Sequence, residues 1–269
     1  MRSRYLLAPL LLVAACTPVA QRGTATRAPE PALYTETFGD TPAARVRTLV
    51  VVLHGDSRNA PPSSQYVAAE RFAAAVPDSA VVAVLRPGYT DAAGHRSPGE
   101  RGEGNGDNYT ADRIGAVADT IAILRGRYPN ARTIVVGHSG GAAIAADLAG
   151  TRSGLIDGLV LAGCPCMLDE WRTGMKKRRP QAGFDTPVDS LDPLQTVGGI
   201  PTSLRAAVLV GAKDEVAPPP LSRGYAEALA LRGVTTDYRI LPDKGHDILD
   251  DPELIAALQR LAAALPRLP

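Results

Sequence analysis

The sequence predicts an α/β fold: a mostly parallel, doubly wound sheet with helices packed on both faces. Short aliphatic or β-branched runs alternate with longer segments of helical periodicity from residue 32 onward, and turn residues bound each run. Hydrophobic residues make up 45% and charged residues 21% of the 269, a balance that supports one full-sized domain with a real core. Aromatics supply only 4%, so Ala and aliphatic side chains must do most of the packing.

The N-terminus stands apart from that domain. Arg2 and Arg4 precede an apolar run from Tyr5 to Ala15 that ends in small residues, which is the build of an export signal. The run is too short to cross a bilayer as a helix. Val13-Ala14-Ala15-Cys16 resembles the bacterial lipobox, which implies a signal peptide at 1–15, lipidation of Cys16 and membrane attachment by the lipid alone. Thr17 stands where an Asp would signal inner-membrane retention in the lipoproteins this resembles, so the resemblance points to the outer membrane. The alternative is an ordinary cleaved signal with an incidental cysteine. Residues 16–31 are polar, Thr/Pro/Ala-rich and aperiodic, a flexible tether leading into the domain at 32–269.

Strands are expected at Arg47–Leu53, Ala80–Leu85, Thr133–Gly137, Leu155–Ala162, Ala206–Gly211 and Thr236–Leu241, each a β-branched or Leu run between turn residues. Helices are expected at Ser64–Val76, Thr110–Tyr128, Gly140–Ala149, Pro219–Arg232 and Pro252–Leu265. The second carries Ile114, Val117, Ile121 and Leu124 at helical spacing, and the last places Asp251 before Pro252 as a cap. Residues 91–109 hold five glycines without periodicity and read as a long loop at the edge of the sheet where such folds build sites. Residues 167–196 read as an irregular insertion sized for a small lid.

Chemistry concentrates in Gly137-His138-Ser139-Gly140-Gly141, a G-x-S-x-G that follows a strand and opens a helix rich in small residues. That context matches the nucleophile elbow, whose helix N-terminus offers N–H groups to a developing oxyanion. A serine hydroxyl needs an adjacent base held by a third group. Gly211-Ala212-Lys213-Asp214 places an acid in the loop after one strand, and Gly245-His246 places a base after the next.

The order Ser139, Asp214, His246 resembles the α/β-hydrolase superfamily over nearly the whole domain, in particular compact dienelactone-hydrolase and prolyl-oligopeptidase-like members. The resemblance implies the α/β-hydrolase fold and a triad of Ser139 nucleophile, His246 base and Asp214 orienting acid. His54-Gly55-Asp56 is similar to the family's HG segment, which implies an oxyanion hole from the amide of Asp56 or Ser57 beside that of Gly140. Of the four histidines, His54 suits loop fixing, His95 falls in the long loop, and His138 occupies the variable position of the elbow. Glu215, Asp243 and Asp247 are the rival acids; Asp214 is preferred for its spacing from Gly211.

Arg86, Tyr89, His138 and Trp171 are candidate substrate-binding residues because their segments fall near the catalytic rim. Their alternative is structural, with an arginine paired to Asp107. A free Arg86 or Arg172 in the pocket would instead favour a carboxylate-bearing substrate. Cys164 and Cys166, flanking Pro165, suit either a small disulfide ring in an oxidising compartment or two small residues at a strand end. No second Cys/His pair at ligand spacing accompanies them, so no metal or other cofactor is expected. Lys+Arg 29 against Asp+Glu 28 argues against a nucleic-acid partner. The expected activity is hydrolysis of small-molecule carboxylic esters through an acyl-enzyme. Amidase, peptidase or thioesterase chemistry, or a non-catalytic surface binding protein, are the alternatives.

Overall fold

The computed structural model describes residues 30–57 and 60–268. The expected signal peptide, Cys16 and most of the tether lie outside the described residues.

Seven strands form one sheet: β1 (Thr35–Phe38), β2 (Thr48–Leu53), β3 (Ser79–Val84), β4 (Arg132–His138), β5 (Gly158–Ala162), β6 (Arg205–Gly211) and β7 (Thr235–Leu241). Their order across the sheet is β1-β3-β2-β4-β5-β6-β7. All neighbours are parallel except β1, which runs antiparallel to β3. The expected α/β-hydrolase architecture is therefore present. Strands β2, β3 and β5 are buried along their whole length, as their unbroken aliphatic runs require when helices cover both faces.

Helices α1 (Ser64–Ala75) and α7 (Pro252–Ala264) cover one face, where Phe72, Leu254 and Leu258 meet Val50, Val136 and Val160. The other face packs α2 (Ala111–Arg127), α3 (Gly140–Thr151) and α6 (Pro219–Leu231) through Ile121, Ile144 and Tyr225. Asp251 caps α7 by accepting from the Glu253 N–H at 2.9 Å, with Pro252 at the first helical position.

Three expectations need correction. Strand β1 was not foreseen, because its four residues, Thr-Glu-Thr-Phe, carry no aliphatic run. Strand β5 starts at Gly158, three residues later than expected. The turn before it is held by Asp157, whose carboxylate accepts from the Thr133 N–H at 2.8 Å and pairs with Arg132 at 2.9 Å. The insertion at 167–196 is more ordered than its composition implies, since it contains α4 (Leu168–Arg178) and the single turn α5 (Pro193–Thr196). Most of α4 is polar and exposed; only a sparse stripe of Leu168, Trp171, Arg172 and Met175 is buried, too thin a periodicity to stand out in sequence.

Helix α3 holds a buried acid, Asp147. Burial pushes its pKa up from 3.8 to about 8, and Thr196 supplies one hydrogen bond at 2.9 Å to one carboxyl oxygen while the other has no partner. An acid whose pKa is raised by folding is stable in place while protonated, and its ionisation opposes folding as pH climbs from the unfolded value towards the folded one. Replacing Asp147 with Asn keeps an acceptor for Thr196 and removes the charge. The variant should gain on wild type as pH rises from 4 to 8, by up to about 5 kcal/mol, and urea unfolding at several pH values reads this directly. A difference that does not change with pH would show that Asp147 is not titrating in the fold.

Candidate active site

Strand β4 ends at His138, and the chain turns through Ser139 directly into α3. Ser139 has φ 51° and ψ −121°, a conformation disfavoured for any residue with a Cβ and costing about 1–3 kcal/mol. The turn is held by the Ser139 N–H donating to Ala162 at 2.9 Å and by its carbonyl accepting from Ala142 and Ala143 at 2.9 and 3.1 Å. It also demands glycine on both sides. A Cβ on Gly137 would strike the backbone of Gly141 and Ala142, and one on Gly141 would strike the carbonyls of Leu53 and His54.

His246 arrives from the loop after β7 and Asp214 from the loop after β6. These loops are tied together by Lys213 N–H to Lys244 carbonyl at 2.8 Å, and Gly211 lies so close to the Lys244–Gly245 backbone that no Cβ fits. The His246 Nδ1 lies 2.8 Å from one carboxylate oxygen of Asp214; the other oxygen accepts the N–H groups of Val216 and Ala217, each at 2.8 Å. The Asp214 carboxylate is fully buried, and both of its oxygens are engaged, one by the imidazole and the other by its own loop. The rival acids point elsewhere: Asp243 pairs with Lys213 at 2.6 Å, Asp247 is solvent-exposed, and Glu215 is exposed. Ser139 and His246 line one cavity of about 260 Å³, together with Asp56, Gly104, Trp171, Met175, Arg179, Phe184 and Val216.

The Asp56 carboxylate rests against Gly140, 2.6 Å from where a Cβ would stand. Among the described residues, neither the Asp56 N–H nor the Gly140 N–H is used in a hydrogen bond, as expected of donors kept for a ligand at a helix start. The Asp56 side chain is neutralised from behind by Arg86 at 2.9 Å and by the hydroxyls of Tyr109 at 2.9 Å and Tyr89 at 3.4 Å. Burial and the adjoining carboxylate raise the Tyr109 pKa well above its ordinary value, so its hydroxyl stays a donor.

Among the expected substrate residues, Trp171 reaches the cavity, and three do not. Arg86 is buried to 1% exposure, donating to the His54 carbonyl as well as pairing with Asp56. Tyr89 is buried against the His54 ring. His138 packs behind His246, with ring centroids 4.8 Å apart, and donates from Nε2 to the His246 carbonyl at 3.0 Å. The arginine pairing anticipated with Asp107 is also not formed: Asp107 accepts the N–H groups of Glu103 and Gly104, at 2.7 and 3.0 Å. Arg172 is committed to the carbonyls of Asn105, Phe184 and Thr186, which pins the 167–196 insertion to the long loop.

Two features carried little signal in the sequence. Gly163, at the end of β5 with φ 55°, leaves only 3.1 Å between its Cβ position and both Asp214 and His246. It had only its place after an aliphatic run to mark it. Cys164 and Cys166 follow, joined in a disulfide with Cα atoms 5.1 Å apart, within the ordinary range, so the β5–α4 turn is covalently closed beside the His246–Asp214 pair. Among the described residues no cluster of three or more His, Cys, Asp or Glu is placed to hold a metal ion, and no helix is long and apolar enough to cross a membrane.

The fold is shared with solved structures at low identity. A monoacylglycerol lipase of Paleococcus ferrophilus superposes with a TM-score of 0.57 at 20% identity, over 87% of this chain and 98% of that one. A thermostable carboxyl esterase of Bacillus coagulans gives 0.59 at 16%, over 86% and 94%. An esterase of Pyrococcus furiosus gives 0.61 at 17%, over 81% and 82%. No curated protein sequence matches the chain. The profile of the alpha/beta hydrolase family matches residues 50–197, more than half of the chain and including the strand–Ser139–helix turn, and the chain belongs to that family.

Proposed function

We propose that the protein is a serine hydrolase of carboxylic esters working through an acyl-enzyme. The observation that carries this reading is the buried Asp214 carboxylate fixing His246 at 2.8 Å beside the cavity that Ser139 enters from its strained turn. Asp214 on Nδ1 leaves Nε2 to accept the Ser139 proton as the hydroxyl oxygen adds to the ester carbonyl. The oxyanion so formed takes the N–H groups of Asp56 and Gly140. His246 then returns the proton to the departing alkoxide, and a water activated by the same nitrogen releases the acyl group from Ser139. The lipase and esterase names among the structural neighbours agree with this reading.

The test compares wild type with Ser139→Ala on p-nitrophenyl acetate and butyrate, with fluorophosphonate labelling of the folded protein. Ester turnover and labelling should both require Ser139. Equal turnover by the two proteins would remove Ser139 from the chemistry, and an unlabelled, inactive wild type would favour a binding protein built on the same fold. Parallel assays with amide and thioester substrates fix the bond class; faster cleavage of either than of esters would overturn the ester assignment.

A further inference from the structure

We propose that Arg179 is a specificity residue selecting esters that carry a second, anionic group, a carboxylate on the acyl or the alcohol side of the scissile bond. The inference rests on the hydrolase reading of the Ser139 cavity and adds its substrate class. Arg179 caps the C-terminal end of α4, anchored by its N–H to the Met175 carbonyl at 2.7 Å, and lines the cavity that holds Ser139 and His246.

Basic residues at a helix C-terminus are ordinarily explained by the helix dipole, and α4 has three in its last turn, followed by Arg179 at the cap. The other three do not serve the cavity: Lys176 pairs with Asp185 at 3.4 Å, Arg178 donates to the Glu215 carbonyl, and Lys177 is exposed and lies outside the cavity lining. The Arg179 guanidinium has no hydrogen bond or ion pair among the described residues. The cavity's own carboxylate, Asp56, does not answer it, being held by Arg86 and Tyr109. What remains is an apolar wall of Trp171, Met175, Phe184 and Val216, with hydrolytic groups facing it and one unanswered cation at the rim. A planar guanidinium in that position matches a carboxylate with two parallel hydrogen bonds. The volume of about 260 Å³ lies below the usual range for drug-sized ligands, which fits a short acid.

Two matched pairs of substrates separate the sources of the anion. Monomethyl glutarate against methyl pentanoate places the charge on the acyl side; 4-acetoxybenzoate against phenyl acetate places it on the alcohol side. In at least one pair wild type should prefer the acid in kcat/KM, and Arg179→Gln should lower that preference about tenfold. An unchanged ratio in both pairs overturns the proposal. Trp171, the only tryptophan of the chain, lines the cavity and gives a second readout free of turnover. Monomethyl glutarate titrated into Ser139→Ala should shift its fluorescence saturably, and the added Arg179→Gln should weaken that binding about tenfold. Equal binding by both proteins, or none by either, also overturns it. The two readings fail separately: Arg179-dependent binding without ester turnover sinks the hydrolase and leaves the anion subsite, and turnover without Arg179-dependent preference does the reverse.

Discussion

Replacing His246 with alanine is expected to lower kcat for ester hydrolysis by about four to six orders of magnitude, with Ser139→Ala falling to a similar floor. The size of the effect follows from there being no understudy. His54 is buried with its Nε2 accepting the Arg86 N–H at 3.0 Å and its Nδ1 donating to the Gly55 carbonyl at 2.8 Å. That pair of bonds fixes a neutral ring, and burial together with the neighbouring Arg86 charge holds its pKa down at about 3. His138 is kept neutral as well, its pKa lowered to about 4 by burial and by His246 beside it, and its Nε2 proton is given to the His246 carbonyl. His54 therefore has no lone pair free to take the serine proton, and His138, whose remaining lone pair is on Nδ1, does not line the Ser139 cavity. In the proposed mechanism nucleophile and base act as one unit, so the Ser139→Ala/His246→Ala double variant should be no slower than either single one. Turnover measured with p-nitrophenyl butyrate decides this. A loss of only tenfold for His246→Ala, or additive losses in the double variant, would mean the two residues do not share a step.

What could be read from sequence followed the range of the interactions. The turn at Ser139 is specified by neighbours within a few positions: aliphatic β4, glycines where strand and helix touch, and small residues along α3. The loop bearing Asp214 follows the aliphatic run of β6, and the loop bearing His246 follows β7, whose Thr, Tyr and Ile still mark a strand, so the place of both at the sheet edge came with the fold. The role of Arg86 was not readable, because its partner Asp56 is thirty positions away and the choice of Asp56 over Asp107 depends on how two loops meet. The order within the 167–196 insertion was missed for a related reason. Helix α4 gains its place from Arg172 bonding to the carbonyls of Asn105, Phe184 and Thr186, and from the Trp171 indole donating to the Val216 carbonyl at 2.8 Å. Such bonds to backbone leave no pattern in side-chain order. Arg179 was visible only as part of a basic run, and its separation from Lys176 and Arg178 needed the cavity to be seen.

Asp214→Asn is expected to lower kcat by about four orders of magnitude while leaving the fold intact. The asparagine oxygen can still accept from Val216 and Ala217, whose N–H groups both reach one carboxylate oxygen. The atom facing His246 Nδ1 then becomes an amide nitrogen, which donates where the aspartate accepted. The imidazole must turn its lone pair towards Nδ1 and present a proton at Nε2, the wrong tautomer for taking one from Ser139. Alanine is the poorer test, because it also leaves two N–H groups without their acceptor, at about 1–3 kcal/mol each if buried, and a loss of activity could then come from the loop. Asn substitutions at Asp243 and Asp247, both solvent-facing, supply the comparison. If Asp214→Asn turned over within tenfold of wild type while one of these fell by orders of magnitude, the orienting acid would have to be reassigned to it. If only Asp214→Asn falls and its thermal unfolding is unchanged, the loss lies in the imidazole tautomer, the role that the proposed mechanism gives to the carboxylate 2.8 Å from His246.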